Sequence, residues 1–378
     1  MRRAMPRRRP SIAVTLLLPA LLAACGSEAP TGPPPPSAEA LAAVAPRPGA
    51  DRAPLARAVD ALFTAEGIGE TRALLVLHDG QVVAQRYAEG FGPDSRFVGW
   101  SMSKTVTALL IGLLVADGKL ALDAPAPVPL WQRAGDPRGE ITVRHLLQMR
   151  SGLRHQENAD PVYESAEVRM MFGDGRDDMA AWAEAQVLQH APGSTFTYST
   201  PTSVILADIA ARVLAPGGSP AERRQAVAQY LQTRLAAPLD LRGLTAEHDR
   251  QGTMVGGAMV WATAADWGRL GELLRQDGNA ADGTPVLPRG WVELMRTPSP
   301  AAPDYGGALW LNRPSGGDRQ VLFATRGPAD AFALVGHLGQ YVLVAPGQGL
   351  TVVRLGKTDA PDRPALVDRL ADLVAVYR

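Results

Sequence analysis

The sequence predicts an α+β fold: an antiparallel sheet flanked by N- and C-terminal helices, with a helical lobe inserted between the two parts of the sheet. Three observations carry this. A β-hairpin signal lies early in the globular sequence, five strand-like runs crowd the end, and the stretch of about 120–296 between them reads mainly as helix and loop. With 378 residues, 46% of them hydrophobic, the chain can bury a sizeable core.

Taken in order, residues 53–66 have helical periodicity. Residues 73–78 and 81–87 flank Asp79-Gly80, a two-residue hairpin turn. Residues 106–116 are apolar nearly all round, which marks a helix inside the protein, and Asp117-Gly118 supplies its end. A short helix is expected in 141–149, preceded by a Thr cap and ended by Ser151-Gly152-Leu153. Further helices are expected at 178–189, 202–214, 220–236 and 263–276. The loop 154–177 carries scattered charge without periodicity, as a substrate-facing loop or a plain surface excursion would. Strand signals return at 307–311, 321–325, 331–336, 340–345 and 350–355, with turns at 313–317 and 346–349, before a last amphipathic helix at 361–377.

The N-terminus has a separate logic. A basic start is followed by an apolar run, 11–24, too short to span a bilayer, so 1–24 reads as a signal peptide. Leu22-Ala23-Ala24-Cys25-Gly26 resembles a bacterial lipobox, and Cys25, the chain's one cysteine, is the expected lipidation site. Gly26 and Ser27 carry no inner-membrane retention signal, so an outer-membrane anchor facing the periplasm is expected. Residues 25–50, rich in proline at their start, read as a tether, and 51–378 as the folded domain. Basic and acidic residues balance at 38 each, so no net field attracts nucleic acid; the expected membrane contact is the lipid anchor alone.

Chemistry concentrates in Trp100-Ser101-Met102-Ser103-Lys104. Ser101 and Lys104 stand three residues apart where the apolar helix begins, so their side chains can meet on one face. A serine hydroxyl needs a base within hydrogen-bond reach, and lysine serves if burial in a polar, anion-free pocket holds it neutral. Lysine is scarce: only Lys104, Lys119 and Lys357 occur, and neither of the others has Ser three residues before it. Alone, Ser101 would read equally as a helix N-cap with Lys104 in solvent.

With the layout above, Ser-x-x-Lys resembles the serine β-lactamase and penicillin-binding-protein superfamily. Leu146-Leu147-Gln148-Met149-Arg150-Ser151-Gly152-Leu153 and Pro192-Gly193-Ser194-Thr195-Phe196-Thr197-Tyr198-Ser199-Thr200 are similar to segments of its class C-like esterase and amidase branch, including enzymes that hydrolyse linear amides of 6-aminohexanoate. The resemblance implies a β-lactamase/transpeptidase-like fold in which Ser101 is the nucleophile, Lys104 its base and Tyr198 a proton relay to the leaving group, with no metal or organic cofactor. Thr200 replaces the Asn of the family's Tyr-x-Asn, at a substrate-binding corner. The third motif, Lys-Thr-Gly, is degenerate. One register puts Leu334-Val335-Gly336 there, with the His337 N–H joining that of Ser101 as oxyanion donor and Gly336 admitting the substrate. The other reads His337-Leu338-Gly339 and shifts the donor to Gln340. Neither has a lysine, which argues for a small ester or amide substrate over a β-lactam or D-Ala-D-Ala stem whose carboxylate needs a cation. A β-lactamase, a D,D-peptidase and a non-catalytic envelope-binding lipoprotein are the alternatives. The histidines have no metal-ligand spacing, and Gly99-Trp100-Ser101-Met102-Ser103 lacks the second glycine of an α/β-hydrolase elbow.

Overall fold

The Asp79-Gly80 turn closes as expected. Both residues have positive φ, 48° and 79°, which suits the right-handed twist of the strands on either side. In the computed structural model, which describes residues 33 and 35–377, these strands are β1 (Glu70–His78) and β2 (Gln81–Tyr87). The expected signal peptide and Cys25 lie outside the described residues. From Pro36 onward the chain forms a single unit.

Before the hairpin come α1 (Ala38–Ala43) and α2 (Arg52–Thr64). The first falls in the stretch read as tether. Its alanine-rich sequence is helix-forming, Ser37 caps it through the Ala40 N–H at 3.0 Å, and Ala40 and Val44 are buried. The Ala45 N–H reaches the Val83 carbonyl at 2.8 Å. Among the described residues, folded structure is therefore already present in 37–50, ahead of Asp51.

Next are β3 (Arg96–Val98) and α3 (Ser103–Ala116), the buried helix, whose residues 103–114 are all buried. Then follow α4 (Val143–Leu147), α5 (Ala166–Phe172), α6 (Met179–Glu184), α7 (Thr200–Leu214), α8 (Pro220–Leu231), β4 (Thr245–Ala246), β5 (Val260–Thr263), α9 (Ala264–Arg275) and α10 (Trp291–Arg296). The chain ends with β6 (Trp310–Leu311), β7 (Phe332–Gly336), β8 (Gln340–Ala345), β9 (Leu350–Lys357) and α11 (Arg363–Val374).

The large sheet is antiparallel throughout, in the order β2-β1-β9-β8-β7-β6, so the first hairpin joins the C-terminal meander through β1 and β9. Alternate residues of β1 enter different cores. Leu74 and Val76 pack in one cluster with Leu55 and Val59 of α2 and Leu366 and Leu370 of α11. Leu75 and Leu77 pack in the other with α3, α7 and α9. This two-sided burial explains why the strands read as apolar runs.

Three expectations change. Residues 321–325 are not a strand: Leu322 and Phe323 are buried beneath the sheet as a plug without ladder partners. The 307–311 strand shrinks to β6, interrupted by Ala308 at φ 61°. The loop 154–177 contains α5, capped by Ser165. An unforeseen small sheet, β3-β5-β4, braces the nucleophile turn: Gly99 donates to the Val260 carbonyl at 2.7 Å, and the buried Ser103 hydroxyl accepts from the Val260 N–H at 3.0 Å.

Candidate active site

The chain leaves β3 through Gly99 and Trp100, whose φ is 47°, and makes one 3-10 turn, Trp100–Met102, before α3 begins. Ser101 therefore sits on a tight turn at the buried helix's N-terminal end. Lys104 Nζ lies 2.9 Å from Ser101 Oγ, and its side chain is 2% exposed. Nζ also reaches Thr200 Oγ1 at 2.8 Å and the Gly257 carbonyl at 2.9 Å. Gly257 is needed for this approach, since a Cβ there would stand 2.7 Å from the Thr200 carbonyl oxygen.

The pocket is not anion-free. Glu157, from the loop 154–177, accepts the Thr200 hydroxyl at 2.5 Å through Oε1 and the Thr200 N–H at 2.7 Å through Oε2, and Oε1 lies 3.9 Å from Lys104 Nζ. Glu167 on α5 feels the same charges: burial and then the Glu157 carboxylate push its carboxyl up to about 7, with Lys104 opposing. Sequence reading missed both residues. Their one signal was that the charged loop follows Ser151-Gly152-Leu153. Thr200, expected at the substrate corner, is instead fully buried with its hydroxyl held between Lys104 and Glu157.

Tyr198 stands beside them, its ring centre 4.8 Å from Lys104 Nζ and edge-on or tilted against Tyr305 and Trp310. Burial raises its phenol above the ordinary value, while the Lys104 charge and the nearness of the Ser101 and Lys104 side chains oppose the rise. The motif segments fix this corner mutually. Thr197 donates to the Met149 carbonyl at 2.8 Å, and Arg150 donates to the Gly193 carbonyl at 2.5 Å. Ser199 caps α7 through the Thr202 N–H at 3.1 Å, and His155 lies 3.1 Å from the Ser199 hydroxyl.

On the other side β7 ends at Gly336. A Cβ there would stand 2.3 Å from the Gly99 carbonyl oxygen, so Gly336 abuts the nucleophile turn, and the His337 ring meets Trp100 edge-on at 5.3 Å. Burial, then the charge of Arg363, hold the His337 imidazole below its ordinary value. Gly339 faces away, toward Leu366, Arg354 and Thr358, while Gln340 is buried with its amide on the carbonyls of His337, Leu338 and Gly356. Lys357 is exposed at the end of β9.

The arrangement provides an alcohol, an amine with two fixed hydrogen-bond acceptors, a phenol and a carboxylate around one point. Among the described residues no group of three or more His, Cys, Asp or Glu could hold a metal ion. A cleft of about 890 Å³ lies elsewhere, lined in part by Asp277, Arg289, Arg296 and Asp330.

Comparison with known proteins agrees with the topology. The Beta-lactamase family model matches residues 56–377. A 6-aminohexanoate-dimer hydrolase of Paenarthrobacter ureafaciens is 28% identical over 302 residues, 77% of this chain and 74% of the relative. Esterase EstB of Burkholderia gladioli is 31% identical over 223 residues, 51% of this chain and 52% of the esterase. The solved structure of a D-stereospecific amidohydrolase from Streptomyces sp. superposes with a TM-score of 0.58 at 20% identity, over 84% of this chain and 98% of that one.

Proposed function

The chain belongs to the Beta-lactamase family, and on that premise we propose that it cleaves a carboxylic ester or a linear amide through an acyl-enzyme on Ser101. The observation that carries the proposal is the contact of 2.9 Å between Ser101 Oγ and a Lys104 Nζ removed from solvent. As Ser101 Oγ bonds the substrate carbonyl carbon, its proton passes to Lys104 Nζ. The carbonyl electrons move onto oxygen, where the N–H groups of Ser101 and His337 receive the charge. The placement of Gly336 against Gly99 supports His337 in that role. When the tetrahedral adduct collapses, Tyr198 relays a proton from Lys104 to the departing oxygen or nitrogen. Water then attacks the acyl-enzyme, gives its proton to Lys104, and Ser101 leaves protonated.

Two relatives support the substrate class, one named a 6-aminohexanoate-dimer hydrolase and one an esterase. The missing lysine at Leu334-Val335-Gly336 supports it over a β-lactam or a D,D-peptide. The proposal places the protein in the bacterial envelope, anchored through a lipid on Cys25; a Cys25→Ser protein that stays with membranes would remove that part. The central test is labelling of the chain by a fluorophosphonate probe. The wild type should label and hydrolyse p-nitrophenyl esters, and Ser101→Ala should do neither while keeping its circular dichroism. Labelling that survives Ser101→Ala would put the acyl group on another residue.

A further inference from the structure

Lys104 can act as a base only if the lone pair of its neutral amine points at Ser101, and its three neighbours decide where that lone pair goes. The Gly257 carbonyl can only accept, so it takes one N–H. Ser101 and Thr200 are both hydroxyls, and either can accept from the amine or donate to it. Alone they are equivalent, and the lone pair would be shared between them.

Glu157 breaks that symmetry. Its carboxylate is an acceptor at both oxygens and is clamped from two sides by Thr200, with the main-chain N–H on Oε2 at 2.7 Å and the hydroxyl on Oε1 at 2.5 Å. Thr200 therefore spends its one hydroxyl proton on Glu157 and presents only a lone pair to Lys104. The amine must give its second N–H to Thr200, and its lone pair is left facing Ser101. We infer that Glu157 is a positioning residue for the base, acting through Thr200 to direct the Lys104 lone pair onto the nucleophile. The inference rests on the acyl-enzyme reading above and deepens it. Nothing in the sequence pointed to it, because Glu157 lies 43 residues from the threonine it orients.

Glu157→Gln is nearly isosteric and makes the inference sharp. The Thr200 main-chain N–H can only donate, so the amide must turn its oxygen to that N–H and its NH2 toward the hydroxyl. Thr200 Oγ1 then receives a proton from Gln and is free to donate its own to Lys104, which occupies the lone pair that Ser101 needs. Thr200→Val removes the hydroxyl altogether, and Thr200→Ser keeps it.

The test uses the full chain without its signal peptide, with a p-nitrophenyl ester as substrate and active-site titration by fluorophosphonate to count competent sites. Glu157→Gln and Thr200→Val are each expected to lower kcat about 10- to 100-fold with KM little changed. Thr200→Ser is expected to stay close to wild type. Because Glu157 works through Thr200, the double variant should be no slower than Thr200→Val alone. A Glu157→Gln enzyme with wild-type kcat per titrated site overturns the inference, and so does a double variant whose losses multiply. If instead the wild type neither labels nor turns over ester, the acyl-enzyme reading fails first, and the positioning role falls with it.

Discussion

His155 shows how single residues hold this site. It is fully buried, with Nε2 3.1 Å from the Ala183 carbonyl and Nδ1 3.1 Å from the Ser199 hydroxyl. The carbonyl can only accept, so Nε2 carries the proton and Nδ1 accepts from Ser199. Ser199 in turn caps the helix that begins with Thr200. Burial lowers the imidazole from its ordinary 6.5 to about 4, with the Ala183 bond opposing. The sign for stability follows from which state takes up the proton first. Above about pH 6.5 neither does, and the contribution of the neutral ring is intact. As pH falls below that, the unfolded chain is protonated while the folded one resists until about pH 4, so stability declines across this window. The loss attributable to His155 is on the order of 3 kcal/mol. Urea midpoints at pH 7 and pH 4.5 check it: His155→Gln should be weaker than wild type at pH 7 yet lose less on acidification. Equal losses would assign the acid sensitivity to other groups.

At the scale of elements, the site depends on where β7 stops. Gly336 closes that strand against the Gly99 carbonyl, and neither side of the contact can retreat cheaply, because both are backbone. Gly336→Ala is expected to push the His337 N–H and the Ser101 turn apart and to cost about 10²-fold in kcat, with folding weakened by about 1–3 kcal/mol. Gly92→Ala, where an added methyl meets nothing within 4 Å, is the control and should match wild type. A Gly336→Ala enzyme of normal kcat would separate the strand end from the chemistry. The Asp79-Gly80 hairpin, the apolar α3 and the Ser101–Lys104 pair were legible in the sequence because the physics that makes them acts within a few residues. The β3-β5-β4 sheet was not, because its strands are two to four residues long and β3 meets β5 across more than 160 residues of chain, as in the Arg96–Thr263 pair. Residues 321–325 misled for a related reason: Leu322 and Phe323 are apolar because they plug a core, and burial without a ladder looks like a strand in one dimension. Glu157 carried no signal beyond its place in a charged loop, since its meaning comes from Thr200 and Lys104.

For the whole molecule, charge decides what the site can hold. Basic and acidic residues balance at 38 each, so selectivity must come from local groups. Around Lys104 these are acidic, Glu157 and Glu167. The end of β7 supplies Leu334, Val335 and Gly336 rather than a cation, and the imidazole that follows is held toward its neutral form. Arg319 stacks over Phe196 and Trp310, which borders Tyr198, but its charge is already paired with Asp304, which accepts from Nε at 2.8 Å and from Nη2 at 2.5 Å. A substrate carboxylate would thus shed its water without gaining a charged partner, and such a pair is worth about 1.5–3 kcal/mol where it exists. One cephalosporin presented as its free acid and as its methyl ester isolates this effect, because the reacting lactam is the same in both. An enzyme with a cation at the strand end should favour the acid by roughly 10- to 100-fold in kcat/KM. This protein should turn over or be acylated by the methyl ester at least as fast as by the acid, and should prefer p-nitrophenyl butyrate to both. A preference of tenfold or more for the free acid would mean that a cation reaches the substrate after all, with Arg319 released from Asp304 the first to examine by Arg319→Gln.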